Sequence, residues 1–353
     1  IMYFFHKLTC FLICEQGFQH EIVQSNPAIP LRFGLRFPGS KTFYALCKPL
    51  AVDLDLIHYP TPSLPFLFRR KLFKKKGALN STGVARPKNV VTVHDITPLL
   101  FPEHHNWKRR LYFRFFLKLA FRRADKIIAD SYNTKKDLIT HLFVSPSKIS
   151  VVHLGVDPQF RVRKDDSVLK KYGLPSEYIL CVGTLEPRKN IVRLLEAYTL
   201  ANPLVKLVLV GKKGWDYDAT CRKIKENKDV YFADYVEVED LPVIYSHALF
   251  FVYPSLYEGF GLPVLEAMAC GCPVITSKNS SLPEVAGDAA LYIDPCNVLD
   301  IASTISTLCA DSELRVLLSQ KGLVQAAKFS WKICASETYK IYEEVLHEDS
   351  SNR

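Results

Sequence analysis

Two glutamates in the last third of the chain, Glu258 and Glu266, are separated by seven residues in the segment E-G-F-G-L-P-V-L-E. An apolar run before them stops at Pro254, and a helix is predicted to begin at Leu262–Pro263, because proline is tolerated where its missing N–H needs no partner. The first glutamate therefore precedes the helix, and the second lies one turn inside it. Since a carboxylate accepts two hydrogen bonds at once, the pair suits the vicinal hydroxyls of a ribose or a hexose.

The loop between these glutamates, Gly259-Phe260-Gly261, leads directly into the predicted helix start at Leu262. Glycines leave backbone N–H groups exposed, and the aligned dipoles at a helix N-terminus attract an anion. A phosphate site between two carboxylates that bind polyols fits a nucleotide sugar as the ligand. Acidic residues are also common in the first turn of ordinary helices, so both interpretations remain open on these residues alone.

A basic pair, Arg188 and Lys189, follows a predicted strand from Tyr178 to Gly183 and a loop that begins at Thr184. The next helix is predicted over Ile191–Ala201. Strand, turn and helix form the first unit of a nucleotide-binding half-domain, in which an anion lies at the helix N-terminus. The pair would stabilise the charge that develops on a departing nucleoside diphosphate, unless it is simply a solvated basic pair in a loop.

Two predicted strands of the first half also end in polar residues. The apolar strand N-V-V-T-V is followed by His94 and Asp95, and the strand K-I-I-A-D by Ser131. Ligands bind at the carboxyl ends of parallel strands, where a histidine could donate to a sugar hydroxyl or a leaving phosphate, although a lone histidine is often structural. Ser131 is predicted to cap the helix that begins at Tyr132, and a helix start could also contact phosphate.

These motifs together resemble the signature of the retaining glycosyltransferases of family 4, which have the GT-B fold. The resemblance rests on E-G-F-G-L-P-V-L-E, on the loop E-P-R-K-N that ends at Asn190, and on Gly155-Val-Asp157. It runs from about His20 to the last predicted helix. It implies an α/β protein in which two Rossmann-like domains face each other across a cleft. It also implies metal-independent transfer of a hexose, with retention, from a nucleotide diphosphate sugar to a glycan or lipid-linked acceptor.

The resemblance assigns a role to each motif. Lys189 and Arg188 would neutralise the diphosphate, Glu266 would hold the ribose, and Glu258 would hold the donor sugar. His94 would face the reacting centre. The donor-binding residues implied are Gly183, Thr184, Arg188, Lys189, Glu258, Gly259, Phe260, Gly261, Leu262 and Glu266, and the acceptor-side residues are His94, Asp95 and Ser131.

The likeness also predicts the organisation of the chain and its donor. We expect an N-terminal domain over residues 1–157 that lacks the family's first strand and glycine-rich loop, a nucleotide-sugar domain over 158–330, and a helix over 331–347 that crosses back. The loop before Asn190 and the segment G-K-K-G-W that ends at Trp215 resemble bacterial mannosyltransferases of surface-polysaccharide assembly, including O-antigen assembly, which favours GDP-mannose as the donor. Many relatives carry arginine at Thr184 and glycine at Asp234, and the second departure leaves the preference for a base open.

Composition and charge limit the alternatives. The 353 residues suffice for two domains. Residues 1–154 hold 24 Lys and Arg against 9 Asp and Glu, a net charge of +15, whereas the remainder is net −5. Basic runs with interleaved aromatics at 68–76 and 107–126 suit the anionic headgroups of a membrane surface, and no nucleic-acid recognition motif accompanies them. These basic runs therefore predict peripheral contact with a membrane. The ten scattered cysteines predict reduced thiols in a cytoplasmic protein.

Motifs typical of metal-dependent transferases and of dehydrogenases are misplaced or absent in this sequence. The D-x-D segments that begin at Asp53 and Asp216 do not follow an apolar strand into a loop, so no metal is predicted. No strand ends in G-x-G-x-x-G, which argues against a dehydrogenase, and no cofactor is expected. Two alternatives remain: a nucleotide-sugar epimerase on the same fold, and a truncated homologue that only binds the donor.

Overall fold

The computed structural model describes residues 56–59, 88–102, 117–214 and 217–347. The chain divides into two compact units. The first comprises residues 1–129, 135–152 and 335–353, and the second comprises 130–134 and 153–334. Each unit is built on a parallel sheet, so the prediction of two Rossmann-like α/β units is confirmed. The domain boundaries predicted at 157 and 330 stay a prediction.

The sheet of the first unit has four parallel strands in the order β1-β2-β3-β4. Val91, Ile127 and the helical residues Phe121 and Leu138 share its core, as expected for apolar runs covered by helices. The elements with residues in this unit are β1 (Leu56–Tyr59), β2 (Lys88–Val93), α1 (Thr97–Leu100), α2 (residues 117–123), β3 (Lys126–Ala129), α3 (Tyr132–Leu142) and β4 (Ile149–Val151).

The second unit contains a six-stranded parallel sheet in the order β10-β9-β8-β5-β6-β7. Its elements are α4 (Ser167–Lys171), β5 (Tyr178–Val182), α5 (Ile191–Ala201), β6 (Lys206–Val210), α6 (Asp218–Glu226), β7 (Val230–Phe232), α7 (Leu241–His247), β8 (Phe250–Tyr253), α8 (Leu262–Ala269), β9 (Val274–Ser277), α9 (Leu282–Ala286), β10 (Ala290–Ile293), α10 (Val298–Ala310) and α11 (Ser312–Ala326). The last helix, α12 (Trp331–His347), begins in this unit, and its residues from Ala335 onward belong to the first.

The order of this sheet reverses between β5 and β8, which are hydrogen-bonded neighbours. From β5 the chain moves outward through β6 to β7, and it then returns to β8 on the other side of β5. The loops that leave the carboxyl ends of two such strands diverge, and the crevice between them is where α/β sheets bind ligands. One of these loops contains Arg188 and Lys189, and the other contains Glu258.

Two boundaries differ from those that the sequence predicts. The segment 230–236 predicts a strand, but β7 ends at Phe232, because Asp234 has a left-handed φ of 54° that no strand accommodates. The basic run at 107–126 predicts a helix that reaches Lys126, but α2 ends at residue 123, since Lys126 begins β3.

Several predictions lie outside the described residues: the absence of the family's first strand, the basic run at 68–76 and the D-x-D residues Asp53 and Asp216. In the parts of the chain that are described, no helix is both long enough and apolar enough to span a bilayer.

Gly211 lets two loops of the second unit approach closely. Its φ is +149°, and a Cβ atom built on it would lie 2.0 Å from the carbonyl oxygen of Gly183. Its N–H donates to the carbonyl oxygen of Asp234 at 2.8 Å. The ends of β5, β6 and β7 are thereby held together at the edge of the sheet that carries the loops.

We therefore expect Gly211→Ala to lower the free energy of unfolding by about 2–4 kcal/mol, because both the φ angle and the backbone contact oppose a Cβ. Gly322→Ala is the matched control. It lies within α11, and its new Cβ would lie 3.3 Å from Cγ of the flexible Met268 side chain and at an ordinary 3.6 Å from the Cα of that residue. Urea unfolding of the three proteins measures the difference, and equal losses in both variants would contradict the explanation.

Candidate functional site

Asn190 fixes the loop that follows β5. It adopts a left-handed conformation, with φ 60°, at the start of α5, and asparagine tolerates this region better than most residues. Its buried Nδ2 donates to the carbonyl oxygens of Pro254, at 3.0 Å, and Pro295, at 2.6 Å. The loops after β5, β8 and β10 are thus joined through one amide. The sequence analysis gave Asn190 no role, although an asparagine directly before a helix was the available signal.

The joined loops bring Arg188, Lys189 and Glu258 into one buried cluster. The Nζ of Lys189 lies 2.7 Å from Oε1 of Glu258, and Nη1 of Arg188 lies 2.7 Å from Oε2 of the same carboxylate. The other terminal nitrogen of Arg188, Nη2, contacts Glu186 Oε1 at 2.6 Å. Glu258 is 7% exposed and Lys189 is 9% exposed. Two acidic and two basic groups therefore balance in this cluster.

Glu258 remains ionised in this environment. Burial by itself would raise the pKa of its carboxyl, but the charges of Lys189 and Arg188 and the hydrogen bonds that it accepts lower that pKa to about 2. Two hydroxyl groups complete the surroundings, since Ser255 Oγ donates to Oε1 at 2.6 Å and Tyr253 OH donates to it at 2.9 Å. Lys189 Nζ also donates to the hydroxyl of Tyr253. Tyr253 and Ser255 were not predicted from the sequence.

The two oxygens of Glu258 are used unequally. Oε1 accepts from Lys189, Tyr253 and Ser255, whereas Oε2 contacts Arg188. A carboxylate offers about four acceptor positions in all, two on each oxygen. Oε1 is therefore saturated, and Oε2 has room for a further hydrogen-bond donor.

Glu266 lies one turn inside α8, where its Oε2 accepts from Tyr245 OH at 3.2 Å. The side chain is half-buried. Burial raises the pKa of its carboxyl to about 7, a further increase comes from the nearby Asp157 carboxylate, and the hydrogen bond from Tyr245 opposes both. The pKa values of the two glutamates are thus shifted in opposite directions, because Glu258 is paired with two cations and Glu266 with none among its described neighbours.

The loop from Glu258 to Gly261 is fixed by two serines. Ser281 Oγ lies within hydrogen-bond distance of the carbonyl oxygens of Glu258, at 2.9 Å, and Phe260, at 2.6 Å, which share its one hydroxyl proton. Ser280 Oγ accepts the N–H of Glu258 at 3.1 Å. Gly261 starts α8 with φ +116°, and a Cβ on it would lie 2.9 Å from Leu282. These contacts fix the backbone from Glu258 into the first turn of α8, where Leu262 is half-buried.

The remaining predicted donor residues lie near this cluster. Gly183 follows β5 with φ +154°, and a Cβ on it would come within 3.6 Å of the Lys189 side chain. Thr184 is exposed in the same loop. No three His, Cys, Asp or Glu side chains of the described segments are grouped so that they could hold a metal ion.

The predicted acceptor-side residues belong to two different units. His94 and Asp95 lie in the first unit after β2, and Asp95 Oδ1 accepts the N–H of Thr97 at 2.9 Å, a local turn contact. Ser131 belongs to the second unit, where its buried Oγ accepts the N–H of Thr134 at 3.0 Å. The predicted helix cap is thus confirmed, while acceptor contacts of His94, Asp95 and Ser131 stay predictions.

Two family models match the chain. The model described as "Glycosyltransferase Family 4" matches residues 11–160, and that described as "Glycosyl transferases group 1" matches residues 166–324. The second match contains the whole cluster around Glu258.

Known proteins resemble the chain over most of its length. It is 37% identical over 265 residues to O-antigen chain mannosyltransferase B of Escherichia coli. The aligned region covers 72% of this chain and 70% of that protein. The chain is 33% identical to the serotype-specific mannosyltransferase WbdA of Escherichia coli over 69% of this chain, which spans only 32% of WbdA.

A solved structure shares the fold. The Anabaena protein HepE in complex with UDP-glucose has a TM-score of 0.67 at 20% sequence identity, over 82% of this chain and 79% of that one. The two Rossmann-like sheets, the two family models and the identity to mannosyltransferase B agree. The chain belongs to the family 4 glycosyltransferases and has their GT-B fold.

Proposed function

We propose that this glycosyltransferase transfers mannose, with retention and without a metal ion, from GDP-mannose to a glycan or lipid-linked acceptor. The observation that carries the proposal is the cluster of Arg188, Lys189 and Glu258 at the point where the order of the second sheet reverses. Ligands of open α/β sheets bind at this point. The donor sugar and the base are the finer part of the proposal, and they rest on the relatives that are named mannosyltransferases.

The basic residues would bind the diphosphate through the N–H groups that the cluster leaves available. An ammonium group has three donors, and Lys189 directs two of them to Glu258 and Tyr253. A guanidinium group has five donors, and Arg188 uses part of them on Glu186, Tyr257 and Glu258. Diphosphate oxygens would accept hydrogen bonds from the remaining N–H donors of both side chains. The fixed positive charges would stabilise the leaving group as the glycosidic bond breaks.

The glutamates would bind the two polyols of the donor. Oε2 of Glu258, which has room for one more donor, would accept a hydroxyl of the hexose. Glu266 would accept the ribose hydroxyls, because no basic side chain of the described residues competes for its carboxylate. Retention at the anomeric carbon follows from the family resemblance, as does the expectation that His94 faces the reacting centre.

The base and the sugar are supported unequally. HepE is a protein of the same fold whose structure holds UDP-glucose, so the fold accommodates a uridine nucleotide in that protein. Two relatives that are 37% and 33% identical to this chain are named mannosyltransferases. Titrating both nucleotide sugars therefore decides the base, and turnover of the donor without an acceptor would favour an epimerase or a hydrolase instead.

Replacing Lys189 tests the role of the cluster. Lys189→Ala should reduce kcat/KM for GDP-mannose by a factor equivalent to about 2–4 kcal/mol of transition-state stabilisation. Lys213→Ala is the matched control, because Lys213 is an exposed lysine on the neighbouring loop of the same sheet. Release of GDP in the presence of acceptor is the measurement, with circular dichroism to verify folding. Near-normal turnover in a folded Lys189→Ala protein would refute this role.

The pKa of Glu266 generates a second prediction. Ribose hydroxyls donate to the ionised carboxylate, so affinity for GDP-mannose should increase by up to about tenfold between pH 6 and pH 8. Since the phosphates of GDP-mannose do not titrate in this range, calorimetry reports the protein. Glu266→Gln should bind weakly at both pH values, and a slope unchanged by the substitution would exclude Glu266 as its source.

Stability gives an independent measurement on the same variant. The folded pKa of Glu266, about 7, lies above its ordinary value of 4.5, so ionisation is harder in the folded than in the unfolded chain. The carboxyl therefore destabilises the fold increasingly as the pH rises from 4.5 to 7. Glu266→Gln should raise the free energy of unfolding at pH 8 by up to about 3 kcal/mol and change it little at pH 4.5.

We also propose that the first unit contacts the anionic cytoplasmic face of a membrane. Phe143 is 81% exposed, and Lys118 Nζ lies 5.2 Å from the centre of its ring. The helix α2, which contains Lys118, has three further exposed residues: Leu119, Arg122 and Arg123. Exposed apolar side chains with basic neighbours are typical of surfaces that bind anionic headgroups.

Vesicle sedimentation tests this contact. The protein should bind vesicles that contain phosphatidylglycerol and should not bind vesicles of phosphatidylcholine alone, and 0.5 M salt should release it. Arg122→Glu combined with Arg123→Glu should abolish binding without affecting affinity for GDP-mannose. Equal binding to both kinds of vesicle, or no binding to either, would contradict the proposal.

A further inference from the structure

The carbonyl group of Gly259, the residue directly after Glu258, is held by a segment more than a hundred residues earlier in the sequence. Ser131 Oγ donates to this carbonyl oxygen at 2.7 Å, and Thr134 Oγ1 donates to it at 3.2 Å. Both hydroxyl-bearing residues are fully buried. The contact is therefore shielded from water, which would otherwise compete for the same carbonyl.

Glu284 keeps this segment in place. Its two carboxylate oxygens accept the N–H groups of Tyr132 and Asn133, each at 2.7 Å. These are the first N–H groups of α3, and a carboxylate at a helix N-terminus is favoured by the helix dipole. Ser131 satisfies the next N–H, that of Thr134. The first three N–H groups of α3, at residues 132–134, are thus all bonded within the second unit, to which residues 130–134 belong.

These contacts determine how the loop presents its amide groups. The C=O and N–H of a trans peptide point in opposite directions. The bonds to the carbonyl of Gly259 therefore also set the direction of the Phe260 N–H, while Ser281 sets the peptides on either side. Without such contacts a loop with glycines at 259 and 261 would sample many conformations, because glycine loses the most conformational freedom on ordering.

We infer that Ser131 and Thr134 are positioning residues for donor binding, acting on the sugar-nucleotide through the backbone of Gly259. They hold the loop that carries Glu258 and leads into α8 in the conformation that binds the donor, so the ordering is completed before the ligand arrives. This inference rests on the proposed function. It gives the N-cap of α3 a role in the site in addition to its role in the helix.

Thr134 offers a substitution that separates the two roles. Thr134→Val keeps the shape of the side chain and removes the hydroxyl, whereas Thr134→Ser keeps the hydroxyl. Neither changes the Ser131 cap, since the cap uses the backbone N–H of Thr134. Thr304→Val is the matched control, because it removes a hydroxyl bond to the carbonyl of Asp300, at 2.8 Å, within α10.

The experiment measures GDP-mannose affinity by calorimetry and amide hydrogen exchange of residues 258–262 by mass spectrometry, with melting temperature alongside. We expect Thr134→Val to bind 3- to 10-fold more weakly, and Ser131→Ala combined with Thr134→Val at least 10-fold more weakly. Both should exchange faster in the loop. Thr134→Ser and Thr304→Val should match the wild type in affinity.

Two outcomes overturn the inference. If Thr134→Val and the double variant bind GDP-mannose as the wild type does, the hydroxyls serve only the fold. If Thr304→Val weakens binding as much as Thr134→Val at an equal loss of melting temperature, the effect is general destabilisation. Failure of the wild type to bind any nucleotide sugar overturns the proposed function as well, while loop exchange still reports whether the contact orders the backbone.

Discussion

The second unit depends on one requirement: a carboxylate removed from water has to be compensated by positive charge and hydrogen bonds. Glu258 meets it with Lys189, Arg188 and two hydroxyl groups. An uncompensated charge at this depth would cost several kcal/mol. The partners come from the loop after β5, from the end of β8 and from the loop after β8, and only a sheet whose order places these strands side by side brings them together. The fold and the cluster therefore constrain each other.

The close approach of the loops depends on residues that have little chemistry of their own. Asn190 joins three loops through its amide, and Gly211 allows two backbones to touch. Ser281 and the first turn of α3 fix the peptides that follow Glu258. The charged groups are thus surrounded by neutral hydrogen bonds that restrict their geometry. Preorganisation of this kind lowers the entropic cost of ligand binding, because the loops are already ordered.

Local patterns predicted much of this arrangement. The helix over Ile191–Ala201 has the predicted bounds, and the family resemblance carried by the motifs implied the two Rossmann-like sheets. The positions of Arg188, Lys189 and Glu258 in loops after strands, and of Glu266 one turn inside a helix, were also evident from their spacing. The pairing of Glu258 with both cations was not, because contacts between residues 69 and 70 positions apart leave no periodic signal. Tyr253 and Ser255 belong to a buried strand and its end, and nothing in the sequence indicates that their hydroxyls face a carboxylate.

The path of the chain has a consequence for its biosynthesis. Residues 130–134 lie between two stretches of the first unit and yet belong to the second, so neither unit is continuous in sequence. During translation this segment leaves the ribosome long before Gly259 and Glu284, its eventual partners. Its hydroxyl and amide groups must therefore remain with water or transient contacts while some 150 further residues are made, and long-range contacts of this kind slow folding. Residues 153–334 alone therefore cannot complete the second unit in the nascent protein, because residues 130–134 have to join them.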